Sequence, residues 1–192
     1  MHTIAIFASG TGSNAQKIID HFKNHPHIKV ALIVSNKPGA GVLDIASKEN
    51  IPVLIIEKEN FYRGNAYVQE LKEKRIDLIV LAGFLWKIPV KLIEAYRDRI
   101  INIHPALLPK YGGKGMYGPI VHQAVLAAKE KESGITIHFV DEHYDNGDII
   151  FQEKCRIDPD ETHESLAKKI HKLEYAHYPR IIEEIIHVQN RR

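Results

Sequence analysis

The sequence predicts an α/β fold with a Rossmann-like, open and mostly parallel sheet, helices on both faces and an antiparallel C-terminal portion. Short runs rich in Val and Ile alternate with amphipathic helical patterns through the first half of the chain. The run 77–82 is almost entirely apolar, which is typical of a strand buried on both faces. Two further β-rich runs lie on either side of a turn in the second half, which predicts the antiparallel portion.

Strands and helices alternate in the first half. The predicted strands are 3–8, 28–34, 53–56, 77–82 and 99–103, and the predicted helices are 14–23, 42–49, 65–74 and 89–96. The first helix places Ala15, Ile18 and Phe22 on one face. Pro89 suits the first position of the fourth helix. This β-α-β-α succession implies parallel strands joined by right-handed crossovers.

The second half changes character. Its Gly- and Pro-rich stretch 105–119 predicts a long loop, and a helix over 120–129 follows. We expect strands over 134–140 and 149–156 around the turn 141–148. A last amphipathic helix is predicted from about 164 to 187, with Pro179 as a candidate break point.

Length and composition favour one domain over residues 1–192. The chain has 192 residues, 44% hydrophobic and 26% charged, with a formal net charge of +2 and no dense basic stripe. We therefore expect no nucleic-acid partner. No apolar run is long enough to span a bilayer, so no membrane partner is expected either. Cys155 is the single cysteine, and the first residues show no signal peptide, so a cytoplasmic location is expected.

A glycine loop follows the first predicted strand and opens the first helix. Gly10, Gly12 and Ala15 match a relaxed dinucleotide-binding fingerprint. The acidic residue that would hold a ribose hydroxyl is missing, because Ser35-Asn36-Lys37 ends the second strand. The loop therefore favours a phosphate monoester at the helix N-terminus. A tight turn without a ligand and a nucleotide-binding dehydrogenase module remain alternatives.

Asn102 and His104 end the fifth predicted strand. Strand side chains alternate, so both point to one face, at the edge where open α/β sheets bind ligands. An amide beside an imidazole can stabilise an oxyanion, although such a pair can also serve only nearby backbone groups. A third candidate for the site is an aspartate in the turn 141–148. Spacing alone does not show which of Asp141, Asp145 and Asp148 it is.

Four segments in this order resemble the folate-dependent formyltransferases of the phosphoribosylglycinamide formyltransferase family. They are the glycine loop 9–14, the segment 81–84, the segment 101–109 containing Asn-Ile-His-Pro, and the segment 134–150 containing Asp-Asn-Gly. The resemblance covers nearly the whole chain. It implies a purine-pathway enzyme that transfers a formyl group from 10-formyltetrahydrofolate, as co-substrate, to the amine of 5-phosphoribosylglycinamide.

The resemblance also implies site residues. The implied catalytic residues are Asn102, His104 and Asp145. The implied contacts to phosphoribosylglycinamide are Gly12, Ser13, Asn14 and Glu174. The implied folate contacts are Arg63, Leu85, Trp86, Lys87, Ile88, Asn102, Asp141 and Tyr144. Phosphate binding is assigned to the N-terminal half, and folate binding and catalysis to the C-terminal half.

Direct attack of the amine on the formyl carbon is the expected mechanism. Asn102 and a protonated His104 would stabilise the oxyanion, and Asp145 would favour the charged imidazole. No metal is expected, because the 12 histidines show no recognised ligand spacing. We expect small-molecule substrates and a monomer or homodimer.

The chain departs from the family at two places. Leu85-Trp86 stands where Met-Arg is more common, and the stretch 112–119 is unusually rich in glycine. A formyltetrahydrofolate hydrolase and a sugar-amine formyltransferase remain alternatives, because both share the Asn, His and Asp constellation.

Overall fold

The strands form one seven-stranded sheet in the computed structural model, which describes residues 1–189. They are β1 (His2–Phe7), β2 (Ile28–Ser35), β3 (Val53–Ile55), β4 (Leu78–Leu81), β5 (Ile100–His104), β6 (Glu132–Phe139) and β7 (Ile149–Arg156). The strand order is β3-β2-β1-β4-β5-β6-β7. β1 to β5 pair in parallel, whereas β6 is antiparallel to both β5 and β7. The predicted fold class is confirmed.

Helices cover both faces of the sheet. They are α1 (Ser13–Phe22), α2 (Val42–Lys48), α3 (Lys58–Arg63), α4 (Ala66–Glu73), α5 (Val90–Ala95), α6 (Pro119–Ala127) and α7 (His163–Gln189). Buried apolar side chains from each of α1, α2, α6 and α7 belong to one apolar core. Those of α3, α4 and α5 belong to a second core on the other side. The sheet is therefore buried between two helical layers, as its apolar central strands require.

Two features of the helices differ from the sequence-based expectation. α3 was not predicted, because Phe61 is its one buried side chain and gives no helical periodicity. The proposed break at Pro179 is wrong, since α7 continues through it. Ile181 and Ile185 pack into the core beyond Pro179, and this burial outweighs the lost backbone hydrogen bond. The other predicted elements are present, with ends within two residues of the expected positions.

The order of the strands reverses between β1 and β4. The chain runs outwards from β1 to β3 and then returns to start β4 on the other side of β1. The loops that leave β1 and β4 touch, since Ser9 N donates to Gly83 O at 3.1 Å. Ligands of open α/β sheets bind at such a reversal. Within residues 1–189 no helix is long and apolar enough to cross a bilayer.

Candidate active site

A cavity of about 720 Å³ opens at the carboxyl ends of β1, β4 and β5. Its walls include the glycine loop, the loop after β4, the Gly-rich stretch before α6, and residues of α6 and α7. This volume lies in the range of pockets that hold small molecules, about 300–1,000 Å³.

The three predicted catalytic side chains meet at this cavity. Asn102 Nδ2 lies 3.4 Å from Asp145 Oδ1, and His104 Nδ1 lies 3.5 Å from Asp145 Oδ2. All three residues line the cavity. His104 and Asp145 are nevertheless largely buried, with side chains 4% and 12% exposed. The arrangement combines an amide donor, an imidazole and a carboxylate around one position.

Asp145 is distinguished from its neighbours by its contacts. Its φ of 52° turns the loop so that Gly113 N donates to Asp145 Oδ2 at 2.9 Å. Asp141 instead accepts hydrogen bonds from His143 N and Asn146 Nδ2 within its own turn. Asp148 is exposed. Of the three carboxylates, Asp145 alone faces the imidazole of His104.

His138 is a member of this cluster that sequence reasoning missed. β6 pairs it with Asn102 across the sheet, and Asn102 Nδ2 lies 3.2 Å from His138 Nε2. His138 Nδ1 donates to Phe139 O at 2.7 Å, which leaves Nε2 to accept the Asn102 proton in the neutral ring. The alternation of side chains along β6 could have indicated which face His138 lies on. Its position opposite Asn102 depends on the register of β5 and β6, which could not be predicted from the sequence.

Burial and charge shift the ionisation of the two central groups in different ways. Burial lowers the pKa of His104 below its usual value, although Asp145 opposes this effect. Burial alone would raise the pKa of Asp145, but the nearby imidazoles of His138 and His104 and the N–H of Gly113 outweigh this effect, so the pKa is lowered. Asp145 is therefore ionised at neutral pH. The lowered pKa of His104 favours the neutral imidazole, whereas the oxyanion donor expected from the sequence is the protonated form.

The hydrogen bonds of His104 show where a proton could be added. His104 Nε2 lies 2.7 Å from Tyr111 O, so it carries the proton of the neutral ring. Nδ1 then faces Asp145 Oδ2 without a proton between them. Protonation of Nδ1 would turn this 3.5 Å approach into a charge-assisted hydrogen bond.

The glycine loop is held at the mouth of the cavity by close packing. Gly12 has φ 82°, and a Cβ there would lie 2.8 Å from Val42 Cβ. Ser9 Oγ donates to Asn36 Oδ1 and accepts a hydrogen bond from Leu85 N. α1 begins at Ser13 with no side-chain cap and no acidic residue in its first turn. The first N–H groups of α1 therefore remain suited to an anion.

Glu174 lies in the cavity wall and not on the solvent-facing side of α7. Its side chain is 6% exposed and accepts hydrogen bonds from Asn14 Nδ2 and His171 Nδ1, both at 2.9 Å. The hydrogen bond to Glu174 raises the pKa of His171. The predicted contacts from α1 and α7 therefore come together. His171 was missed, although its spacing to Glu174 puts both on one helix face.

The predicted folate contacts are less concentrated. Leu85 and Tyr144 line the cavity with Asn102. Trp86 packs against Phe61 and Tyr62. Trp86 and the other four predicted contacts lie outside the cavity lining. Arg63 is 80% exposed and pairs with Glu59, Lys87 Nζ lies over the Tyr144 ring, Ile88 is buried, and Asp141 bonds within its turn.

The sheet, the glycine loop and the cluster around Asp145 fall within one family match. The family model described as "Formyl transferase" matches residues 2–182. The chain therefore belongs to the formyl transferase family.

Among its relatives are enzymes named phosphoribosylglycinamide formyltransferase. The chain is 40% identical over 185 residues to the chloroplastic enzyme of Arabidopsis thaliana, covering 93% of this chain and 63% of that protein. It is 37% identical over 196 residues to the Bacillus subtilis enzyme, covering 100% of this chain and 98% of the other. The crystal structure of the Bacillus halodurans enzyme matches with a TM-score of 0.86 and 38% identity, over 96% of this chain and 95% of that one. The chain spans 14% of a longer, trifunctional purine biosynthetic relative.

Proposed function

We propose that this chain transfers the formyl group of 10-formyltetrahydrofolate to the amine of 5-phosphoribosylglycinamide, in purine biosynthesis. The observation that carries the proposal is the meeting of Asn102, His104 and Asp145 at the cavity that the glycine loop also lines. The relatives of matching length carry the name of this activity.

Asn102 acts as the oxyanion donor in this mechanism. The substrate amine attacks the formyl carbon, a new C–N bond forms, and the carbonyl oxygen gains charge. The 3.4 Å contact of Asn102 Nδ2 with Asp145 Oδ1 supports this role, because it is long and a stronger acceptor can take that proton.

His104 and Asp145 handle the proton of the attacking amine. The space between His104 Nδ1 and Asp145 Oδ2 can take a proton, and the ionised Asp145 stabilises the imidazolium that results. The bond between the formyl carbon and the folate nitrogen then breaks, and this nitrogen leaves with the proton. No covalent intermediate with the protein forms.

The two halves of the chain hold the two substrates in this proposal. Gly12 and Ser13 at the N-terminus of α1 bind the phosphate, while Asn14 and Glu174 orient the glycinamide end. Residues of the C-terminal half, with Leu85 and Tyr144, bind the folate. Arg63 remains a predicted partner for a folate carboxylate outside the cavity, and Lys87 remains a predicted folate contact there. The cytoplasmic location and the monomeric or homodimeric state also remain predictions.

The test is formyl transfer measured with and without phosphoribosylglycinamide. We expect product only when the ribotide is present. Asn102→Ala should lose about 10²–10³ in kcat, the usual effect of one oxyanion donor, and His104→Ala should lose about 10²–10⁴, the usual contribution of a group that transfers a proton. Cys155→Ser is the control, because the mechanism uses no thiol. Formate release with water as the acceptor would favour the hydrolase, and near-normal turnover in both variants would refute the assignment of the site.

A further inference from the structure

A second cluster of histidines lies far from the cavity, where the end of α1 and the chain just after it pack beside the C-terminal part of α7. Glu183 is at its centre. His21 Nε2 lies 2.8 Å from Glu183 Oε2, and His25 Nε2 lies 3.2 Å from Glu183 Oε1. His187 Nε2 lies 3.6 Å from the same Oε1. One carboxylate thus has three imidazole nitrogens around it, contributed by two segments remote in sequence.

The spacing of these atoms fits a four-coordinate divalent cation. The ligand atoms of His25, Glu183 and His187 all lie within 4.8 Å of one another. Bonds of about 2.0–2.1 Å in a tetrahedron put ligand atoms about 3.3–3.4 Å apart. The two distances to Glu183 Oε1, 3.2 and 3.6 Å, bracket that value. The remaining pair, His25 and His187, lies within 4.8 Å, so the exposed His187 would move closer when a cation binds.

The surroundings also suit a metal. His187 is 51% and His21 36% exposed, so a cation has an open path, whereas the His25 side chain is only 16% exposed and is fixed against Phe22. Binding through His25 Nε2 requires a proton on Nδ1, which gives up a 3.3 Å contact with His27 N. That N–H is exposed and can turn to water, so the change costs little.

We propose that His25, Glu183 and His187 form a zinc-type metal site that joins the end of α1 to α7. Three protein ligands leave the fourth position of a tetrahedral cation to water. Imidazole and carboxylate ligands in this number suit Zn²⁺. The site takes no part in formyl transfer, since Glu183 lies about 13 Å along α7 from Glu174. Its role is to fix the far end of the two helices that carry Asn14 and Glu174.

Cobalt absorption tests the proposal on the full chain without a histidine tag, at pH 7.5. Co²⁺ should bind with one equivalent, give the intense visible bands of four-coordinate cobalt, and be displaced by Zn²⁺. Glu183→Gln and His187→Gln should each weaken binding at least about tenfold. At the same concentration, Zn²⁺ should raise the melting temperature of the wild type by more than that of either variant, because a cation bound only to the folded state stabilises it in proportion to its affinity.

His2→Gln is the matched control, because His2 is a similarly exposed imidazole beside one carboxylate, Asp77, at 3.8 Å. It should keep the cobalt spectrum and the Zn²⁺ effect. Melting without metal checks that every variant folds. A weak six-coordinate cobalt spectrum, or binding that survives His187→Gln unchanged, would show that Glu183 only forms ion pairs with its histidines and would overturn the proposal.

Discussion

Polar side chains in the cavity have two roles: each forms hydrogen bonds that stabilise the fold, and each takes part in the proposed reaction. Asn102 donates to His138 and Asp145, and Asp145 also accepts from the backbone of Gly113. These contacts restrict the rotamers of the side chains that must meet the substrates, so little reorganisation is needed during reaction. Glu174 is held in the same way by Asn14 and His171.

Glu174→Gln tests the proposed role of this carboxylate in holding the ribotide. Hydrogen bonds to charged groups contribute about 1.5–3 kcal/mol, so KM for phosphoribosylglycinamide should rise about 10- to 100-fold. We expect a smaller change in kcat and none in KM for the folate. Steady-state kinetics with each substrate varied provides the measurement. Lys172→Gln, an exposed charge on the same helix, should leave both values unchanged; an unaltered ribotide KM in Glu174→Gln would contradict the role.

Individual elements were predictable wherever one periodicity dominated. The alternation of buried strands with amphipathic helices located six of the seven helices and all seven strands. α3 was missed because a helix with one buried residue, Phe61, has no detectable apolar face. Pro179 led to the prediction of a helix break that is not present. The tendency of proline to end a helix is overridden here by the burial of Tyr178, whose hydroxyl donates to Leu81 O at 2.9 Å. Tertiary packing thus decided the course of α7, whereas α3 buries too little to be recognised from the sequence.

The turn from β1 into α1 depends on one glycine in particular. An alanine at position 12 would take a positive φ, at about 1–2 kcal/mol, and its Cβ would press on Val42 at 2.8 Å. We expect Gly12→Ala to lower the free energy of unfolding by about 2–4 kcal/mol. Urea unfolding measures this change. Gly10→Ala is the matched control, because nothing lies within 4 Å of its Cβ position. Equal stability of the two variants would show that the packing of Gly12 on α2 matters little.

At the scale of the whole molecule, the sequence located the site but not its full membership. Asn102 and His104 follow from strand alternation, and Glu174 from the resemblance. The meeting of these residues requires the strand order and the return of α7 across the sheet. His138 depends on the register of β5 with β6. The cluster around Glu183 depends on α1 packing beside α7. Contacts so distant in sequence leave no local pattern.

The buried histidines make the stability of the whole fold depend on pH. Burial lowers the pKa of both His104 and His122, whereas an unfolded chain keeps values near 6.5. Below about pH 6.5 these histidines therefore bind more protons in the unfolded state than in the folded state. As the pH decreases, the free energy of unfolding falls until the pH drops below the pKa values of the folded protein. Asp145, with a lowered pKa, adds stability at neutral pH that is lost at much lower pH. His171, with a raised pKa, acts in the opposite direction, since its contribution is complete in acid and is lost as pH rises through its folded pKa.

His122→Gln isolates one part of this dependence. The His122 side chain is buried, and its Nδ1 has no hydrogen-bond partner among the described residues, so protonation inside the fold is disfavoured. Removing it should reduce the loss of stability between pH 6.5 and pH 5 by up to about 1.4 kcal/mol per pH unit. Urea unfolding at several pH values gives the slopes. His143→Gln is the control, because its imidazole is 76% exposed, and it should keep the wild-type slope. If His122→Gln also keeps that slope, His122 takes up its proton as readily in the folded protein as in the unfolded chain, and the acid sensitivity comes from other groups, among them His104 and Asp145.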